Sequence, residues 1–180
     1  MDRRYAVIAA LVAAAAGSAR ADAFRLYSYD PADAETRAAA GPLTFEFRKG
    51  LFRTVMVSVR ATEAQATADL KSADERGLGA GGLKAFIGTA PQRDLYEVKT
   101  DQDGPALIAA FCPGATRAWM AFGAPRPYQS LRVYVLGPKD GAAGPIRLCR
   151  TLNFIYHGAW SAPPADKLPP RLPRESPFSR

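Results

Sequence analysis

Alternation of apolar and polar side chains is the clearest pattern along the chain, and it predicts β-strands. Between residues 43 and 48, Leu43, Phe45 and Phe47 alternate with polar residues and so share one face of a strand. Glycine- and proline-rich turns separate this segment from similar ones, as in a run of antiparallel strands. The strands predicted in this way cover residues 24–29, 43–48, 51–60, 84–87, 94–99, 117–122, 131–136 and 146–157.

The same periodicity predicts which side chains share a face within a strand. Val55, Val57 and Val59 alternate with polar residues, and we expect all three valines on one side of the sheet. In the segment 146–157, Arg150 interrupts an otherwise apolar face. This interruption predicts a β-bulge or a strand end near Arg150, or a position of Arg150 at the rim of the sheet.

Three short segments have helix signals. Residues 106–111 follow Asp-Gly-Pro and precede Cys-Pro-Gly, which is typical of a helix with defined ends. Residues 30–41 form either a surface helix with Asp30 as its N-cap or an ordered loop. Ser72 and Glu75 have the spacing of a capping box, which predicts a short helix before the glycine-rich segment that follows.

These elements predict a mostly β or α+β domain. Consecutive strands separated by short turns favour an antiparallel β-sandwich or an open barrel. We expect about seven or eight strands and one to three short helices, by the spacing of the turn signals.

The first 21 residues have the pattern of a secretory signal peptide. Arg3 and Arg4 precede an apolar run, and Ala19-Arg20-Ala21 provides small residues for cleavage before Asp22. The apolar run is much shorter than the roughly 20 residues that span a bilayer, so no transmembrane segment is predicted after cleavage. We therefore expect a soluble, exported chain in the periplasm or outside the cell.

The predicted mature chain divides into two parts. Residues 22–160 form a single β-rich domain, whereas residues 161–180 contain six prolines and several basic residues. A segment of that composition buries too little apolar surface to fold, and we interpret it as a disordered tail.

The charge of the chain is positive. The formal net charge is +7, and removing the signal with its three arginines and one aspartate lowers it to +5. This charge favours an anionic envelope component or an envelope protein as partner. Nucleic acid is not expected, because an exported protein rarely meets it and the arginines do not form a stripe.

Cys112 and Cys149 are the only cysteines. Two cysteines in an exported chain usually pair, so we predict one disulfide that joins the end of helix 106–111 to the last strand. Such a bridge stabilises the fold by roughly 4 kcal/mol in the chain-entropy model. The two cysteines do not form a Cys-x-x-Cys motif, so redox chemistry is not indicated.

Few residues have the pattern of a catalytic or metal site. His157 is the only histidine, too few for a zinc site once the cysteines are paired, and no Gly-x-Ser-x-Gly motif is present. Gly77 to Gly82 matches the letters of a dinucleotide motif but lacks the strand before it and the helix after it. We predict no catalytic residues, no metal and no cofactor.

Aromatic residues and arginines alternate in the last third of the domain, a pattern found both on sugar- or partner-binding faces and on ordinary half-buried sheets. The candidate binding face consists of Trp119, Arg132, Tyr134, Tyr156 and Trp160.

The sequence as a whole favours a non-enzymatic exported domain that binds an envelope component or a protein partner. Two alternatives remain open. One is a cell-wall or glycan hydrolase that uses some of Asp74, Glu75, Asp94, Glu97 and His157. The other is a carrier of lipid or another small ligand inside a sheet-lined pocket.

Overall fold

The computed structural model describes residues 24–49, 54–91, 94–139, 141 and 144–162. The predicted signal peptide and nearly all of the predicted tail lie outside these residues. The described strands are β1 (Phe24–Pro31), β2 (Leu43–Lys49), β3 (Thr54–Ala61), β4 (Ala66–Ser72), β5 (Asp94–Val98), β6 (Trp119–Phe122), β7 (Leu131–Pro138) and β8 (Ile146–Ala162). The helices are α1 (Ala34–Ala39), a 3₁₀ turn (Glu75–Leu78), α2 (Lys84–Ile87) and α3 (Gly104–Phe111).

The strands form a closed antiparallel barrel in which each strand pairs with its neighbours in sequence and β8 pairs with β1. Of the predicted fold, the mostly β composition, the antiparallel barrel and the short helices are confirmed. The barrel is closed rather than open, because the second half of β8 follows β1 from Phe24, opposite Ala162, to Pro31, opposite Phe154. The strand β8 also continues to Ala162, two residues beyond the predicted end of the domain.

The interior of the barrel is filled by side chains that alternate inward along the strands. Leu43 and Phe45 share one face of β2, as predicted, and both are fully buried. Val133 on β7 and Leu152 on β8 are buried opposite each other. Burial of one such side chain stabilises the fold by about 1.5–3 kcal/mol. The barrel interior is therefore the main hydrophobic core of the described domain.

A second, smaller cluster lies on the outer side of the wall. Leu78 and Leu83, from the 3₁₀ turn and the start of α2, pack on Leu95, Trp119 and Leu136 of neighbouring strands. The connection between β4 and β5 thus covers part of the outer surface of β5, β6 and β7.

The helices α1 and α3 lie at the same end of the barrel, since they join β1 to β2 and β5 to β6 in an up-and-down order. We call this the helical end. The connections β4–β5 and β6–β7 lie at the opposite end, which we call the loop end. Phe111 at the end of α3 is 1 % exposed, so this helix contributes to the core as well as covering it.

Several local predictions are wrong. Asp33, not Asp30, is the N-cap of α1, where its Oδ1 accepts a hydrogen bond from the Thr36 N–H at 2.7 Å. The N-cap of the 3₁₀ turn is Asp74 rather than Ser72, which belongs to β4. Residues 84–87 form α2 instead of a strand.

The sequence did not predict one of the strands. In another strand, the side chains that face the interior differ from the predicted ones. The strand β4 lies in a segment that the sequence made the least strand-like part of the chain. In β3, Val57 is the extra residue of a bulge, because Ser58 pairs with Glu46 and Met56 pairs with Phe47. The bulge turns Met56 inward and leaves Val55 43 % exposed.

Candidate functional site

The predicted disulfide is present between Cys112 and Cys149, whose Cα atoms lie 5.1 Å apart. Cys112 ends α3. Cys149 is the extra residue of a bulge in β8, since Arg150 pairs with Val135 and Leu148 pairs with Leu136. This confirms the predicted irregularity near Arg150. The bridge fixes the helical end and belongs to the scaffold of the barrel.

The five residues of the candidate binding face do not form one surface. Tyr156 pairs with the buried Tyr29 and belongs to the barrel interior. Trp119 is only 5 % exposed, because the outer cluster surrounds it and the Arg117 guanidinium lies 4.9 Å from its ring centre. Trp160 is 48 % exposed near the end of β8. Of the five residues, the structure brings together only Arg132 and Tyr134 in a concave site.

That site is a groove of about 490 Å³ on the outer wall, which we call the wall groove. The strands β7 and β8 form its floor, and the connections after α2 and after β1 form its sides. Ile155, outside the predicted face, is 52 % exposed in this groove. The lining residues are Ala32, Ala90, Pro91, Ser130, Leu131, Arg132, Tyr134, Asn153, Phe154 and Ile155.

A hydrogen-bonded series holds Arg132 in the wall groove. The Arg132 Nε donates to Asn153 Oδ1 at 2.8 Å, and Asn153 Nδ2 donates to Asp33 Oδ2 at 3.0 Å. The Asn153 N–H also donates to Thr36 Oγ1 at 3.0 Å. The Thr36 backbone N–H and the Asn153 amide hold the pKa of Asp33 below its usual value. Asp33 therefore remains a carboxylate acceptor at neutral pH and fixes the orientation of the Asn153 amide.

Arg132 has no carboxylate within 4.0 Å among the described residues. Other arginines of the barrel are paired: Arg117 with Glu97 at 2.6 Å, and Arg150 with Glu35 at 3.7 Å. Arg132 is thus an oriented cation whose charge is not neutralised by a neighbouring side chain of the described domain. Such a group can bind an anion, because a guanidinium matches the geometry of a carboxylate or phosphate.

Three of the four carboxylates that the alternative hydrolase would use have structural contacts. Asp74 caps the 3₁₀ turn through the Arg76 N–H, and Glu75 Oε2 accepts the Leu83 N–H at 2.9 Å. Glu97 lines a groove of about 360 Å³ but pairs with Arg117. Asp94, the fourth of these carboxylates, is exposed at the start of β5.

His157 lies on the outside of β8, where its Nδ1 is 2.8 Å from Asp30 Oδ2. A carboxylate on one ring nitrogen is one part of a catalytic triad, whose other part is a nucleophile on the second nitrogen. Within the described residues, no hydroxyl or thiol hydrogen-bonds to His157. The pair is therefore an exposed hydrogen bond that joins β1 to β8.

Another groove, of about 350 Å³, contains Glu46 and Asp69 beside Ser58. Glu46 Oε2 accepts a hydrogen bond from Ser58 Oγ at 3.0 Å, and Asp69 Oδ2 lies 3.9 Å from Lys99 Nζ. Both carboxylates are already paired, which distinguishes this groove from the wall groove.

Aromatic rings occupy part of the barrel interior. Tyr29 packs edge-on against Phe45 and Tyr156, and its hydroxyl donates to the Arg126 carbonyl at 3.1 Å. The pKa of Tyr29 is raised to about 12, and burial of the phenol is the largest cause of this increase. Tyr128 has a φ of 61° and is 91 % exposed, yet its ring centre lies 5.2 Å from that of Tyr156.

No group of three or more histidine, cysteine, aspartate or glutamate side chains suited to a metal ion occurs in the described part of the chain. None of the described helices is long and apolar enough to cross a bilayer.

Comparison of the chain with protein-family models, curated proteins and solved structures gave no match.

The sequence indicated Arg132 and Tyr134 but not their partners. Asn153 and Asp33 are far apart in sequence, and nothing in either segment signals that they meet. The sequence indicated Ile155 as a site residue only weakly. It is an apolar residue on the otherwise polar face of the last predicted strand.

Proposed function

We propose that this chain is an exported, non-enzymatic domain that binds an envelope component or a protein partner through the wall groove. The observation that carries the proposal is the oriented guanidinium of Arg132 in a groove that also exposes Ile155. A fixed charge next to an exposed apolar side chain is characteristic of a binding surface.

The contacts of the acidic residues support a binding role over hydrolysis. General acid and base groups need environments that push their pKa values towards neutrality and a substrate position between them. Glu75 and Glu97 instead have a backbone donor and an arginine as partners.

The packing of the interior favours the outer wall over the inside of the barrel as the binding place. An eight-stranded barrel is just wide enough either to be filled by side chains or to hold one small ligand. Here Tyr29, Phe45, Phe122 and Phe154 are at most 1 % exposed and occupy the interior.

Two features support export. The first 21 residues match a secretory signal, and a disulfide such as Cys112–Cys149 persists in an oxidising compartment. If export is correct, N-terminal sequencing of the cell-envelope form should begin at Asp22.

The experiment places a photo-crosslinking amino acid at Ile155 in cells and, as a matched control, at Val55. Both are aliphatic and similarly exposed, at 52 % and 43 %, but only Ile155 lines the wall groove. We expect a discrete adduct, identified by mass spectrometry, at position 155 and not at position 55. Equal labelling at both positions, or at neither, would contradict a binding role for the wall groove.

A further inference from the structure

We propose that the wall groove binds a small amphiphile with a single negative charge, and that a carboxylate of this ligand contacts Arg132. This inference rests on the proposed function and specifies the ligand class of the same groove.

The orientation of Arg132 gives the first argument. Its Nε is occupied by Asn153 Oδ1 at 2.8 Å, so the two terminal nitrogens are the part of the guanidinium left to meet a ligand. Asn153 is fixed in turn by Asp33 at 3.0 Å. A guanidinium held in this way loses little conformational freedom when it binds, which favours a planar two-oxygen acceptor such as a carboxylate.

The charge balance gives the second argument. Among the described residues that line the groove, Arg132 is the only charged one, and the carboxylate of Asp33 lies behind Asn153. Arg132 supplies one positive charge, and the Asp33 carboxylate behind it lowers the local positive potential. A phosphate monoester near −2 would therefore remain partly unpaired in the groove. A monoanion therefore fits better than a dianion.

The remaining surface gives the third argument. Ile155 is 52 % exposed, and Ala32, Ala90 and Pro91 add apolar surface beside it. The volume of about 490 Å³ lies in the range of roughly 300–1,000 Å³ that small-molecule sites occupy. An apolar body can thus lie along the groove while its charged end reaches Arg132.

The test is a titration of the full mature chain, followed by amide NMR, with octanoate, 1-octanol and inorganic phosphate as probes. We expect octanoate to bind with saturation, to shift the signals of Arg132, Asn153 and Ile155, and to bind at least about tenfold more tightly than octanol, since a charge-assisted hydrogen bond is lost with the alcohol. Phosphate should give no saturable shift at these positions.

The variant Arg132→Gln should lower the affinity for octanoate to that for octanol and leave octanol unchanged. Arg132→Lys keeps the charge but not the planar fork, and should retain only part of the gain. Arg25→Gln, which removes an equal charge from an exposed position outside the groove, is the control and should bind octanoate normally. An unchanged melting temperature of each variant confirms that the barrel is folded.

Equal binding of octanoate and octanol, or octanoate binding that Arg132→Gln does not weaken, would overturn the proposal. Saturable phosphate binding at Arg132 would overturn it in favour of a small-ion site. Either result is compatible with crosslinking at Ile155, so a failure of the ligand class is distinguishable from a failure of the binding role itself.

Discussion

Individual polar side chains of this protein are distinguished by their partners rather than by their sequence context. Arg117 and Arg132 each precede an aromatic residue by two positions in the chain, but Arg117 pairs with Glu97 and Arg132 with an amide. Sequence could predict that both arginines lie near a sheet surface. It could not predict which of them is neutralised, because the partners come from β5 and β8 and meet only when the barrel has formed.

Tyr29 shows how burial changes the chemistry of one group. Its ring is fully buried, and burial raises the pKa of the phenol to about 12, although the hydrogen bond to Arg126 opposes the shift. The usual value is 10.0. The folded protein therefore keeps this proton at a pH at which the unfolded chain releases it.

We expect Tyr29 to make the free energy of unfolding fall as the pH rises between 10 and about 12. Below pH 10 this contribution is complete, because both states hold the proton. The variant Tyr29→Phe has no such proton, so its free energy of unfolding should fall less steeply over that range. At pH 7 the variant should be about 1 kcal/mol less stable, since the Arg126 carbonyl loses its donor.

Urea denaturation of the two proteins at matched pH values measures both effects. The other tyrosines are present in both proteins, so the difference between the two curves reports the phenol of Tyr29. Parallel curves between pH 10 and 12 would show that the phenol is not desolvated as described.

At the scale of elements, strands with large apolar side chains could be predicted and strands with small ones could not. The strand β2 was evident from Leu43, Phe45 and Phe47. The strand β4 was not, because its inward residues include Ala66 and Ala68, which give little contrast with their polar neighbours. Small side chains are needed there, where Leu107 and Ile108 of α3 add to the same core.

The bulge at Val57 could not be predicted, because a bulge is a property of the pair β2–β3 and leaves the alternation of the valines intact. In the segment 84–87, by contrast, the sequence pattern predicted a strand that is not formed. Its apolar residues Phe86 and Ile87 suit a strand, but they pack on the outer cluster as a single helical turn. Short apolar segments of this kind are ambiguous until their neighbours are known.

The contact between α3 and β7 depends on a glycine. A Cβ on Gly137 would lie 2.5 Å from Cys112 Sγ and 3.0 Å from the Arg117 carbonyl oxygen. We therefore expect Gly137→Ala to destabilise the fold by about 1–3 kcal/mol, because the disulfide and the backbone cannot both move away. Gly123→Ala is the control, since a Cβ there has no neighbour within 4 Å.

Thermal unfolding of the two variants under oxidising conditions checks this prediction. A melting temperature of Gly137→Ala equal to that of Gly123→Ala would mean that the end of α3 is not packed tightly against β7.

For the whole molecule, the sequence predicted antiparallel neighbours but not closure. Hairpin order follows from short connections, whereas the pairing of β8 with β1 joins residues more than a hundred positions apart. Two features allow it. First, β8 has 17 residues, so its first half pairs with β7 and its second half pairs with β1. Second, His157 is an extra residue in β8 that shifts the register between Tyr156 and Gly158.

Closure gives a prediction about the length of the chain. A variant that ends at Ala162 retains every described pair of the barrel, from Phe24 opposite Ala162 onward. A variant that ends at Ile155 loses the pairs of β1 from Phe24 to Tyr29, and Tyr29 loses the ring of Tyr156. We expect the melting temperature of the first variant to stay within about 2 °C of that of residues 22–180, and that of the second to fall by on the order of 10 °C or more.

The physical reason is that an open barrel exposes both the unpaired edge of β1 and the aromatic core behind it. Unpaired backbone groups next to buried apolar surface cost free energy at every position of the lost ladder. Circular dichroism of the two variants and light scattering for aggregation through the exposed edge are the measurements. If the chain that ends at Ile155 melts with the full-length protein, the seam between β1 and β8 does not hold the barrel together, and the wall groove beside it would need another source of rigidity.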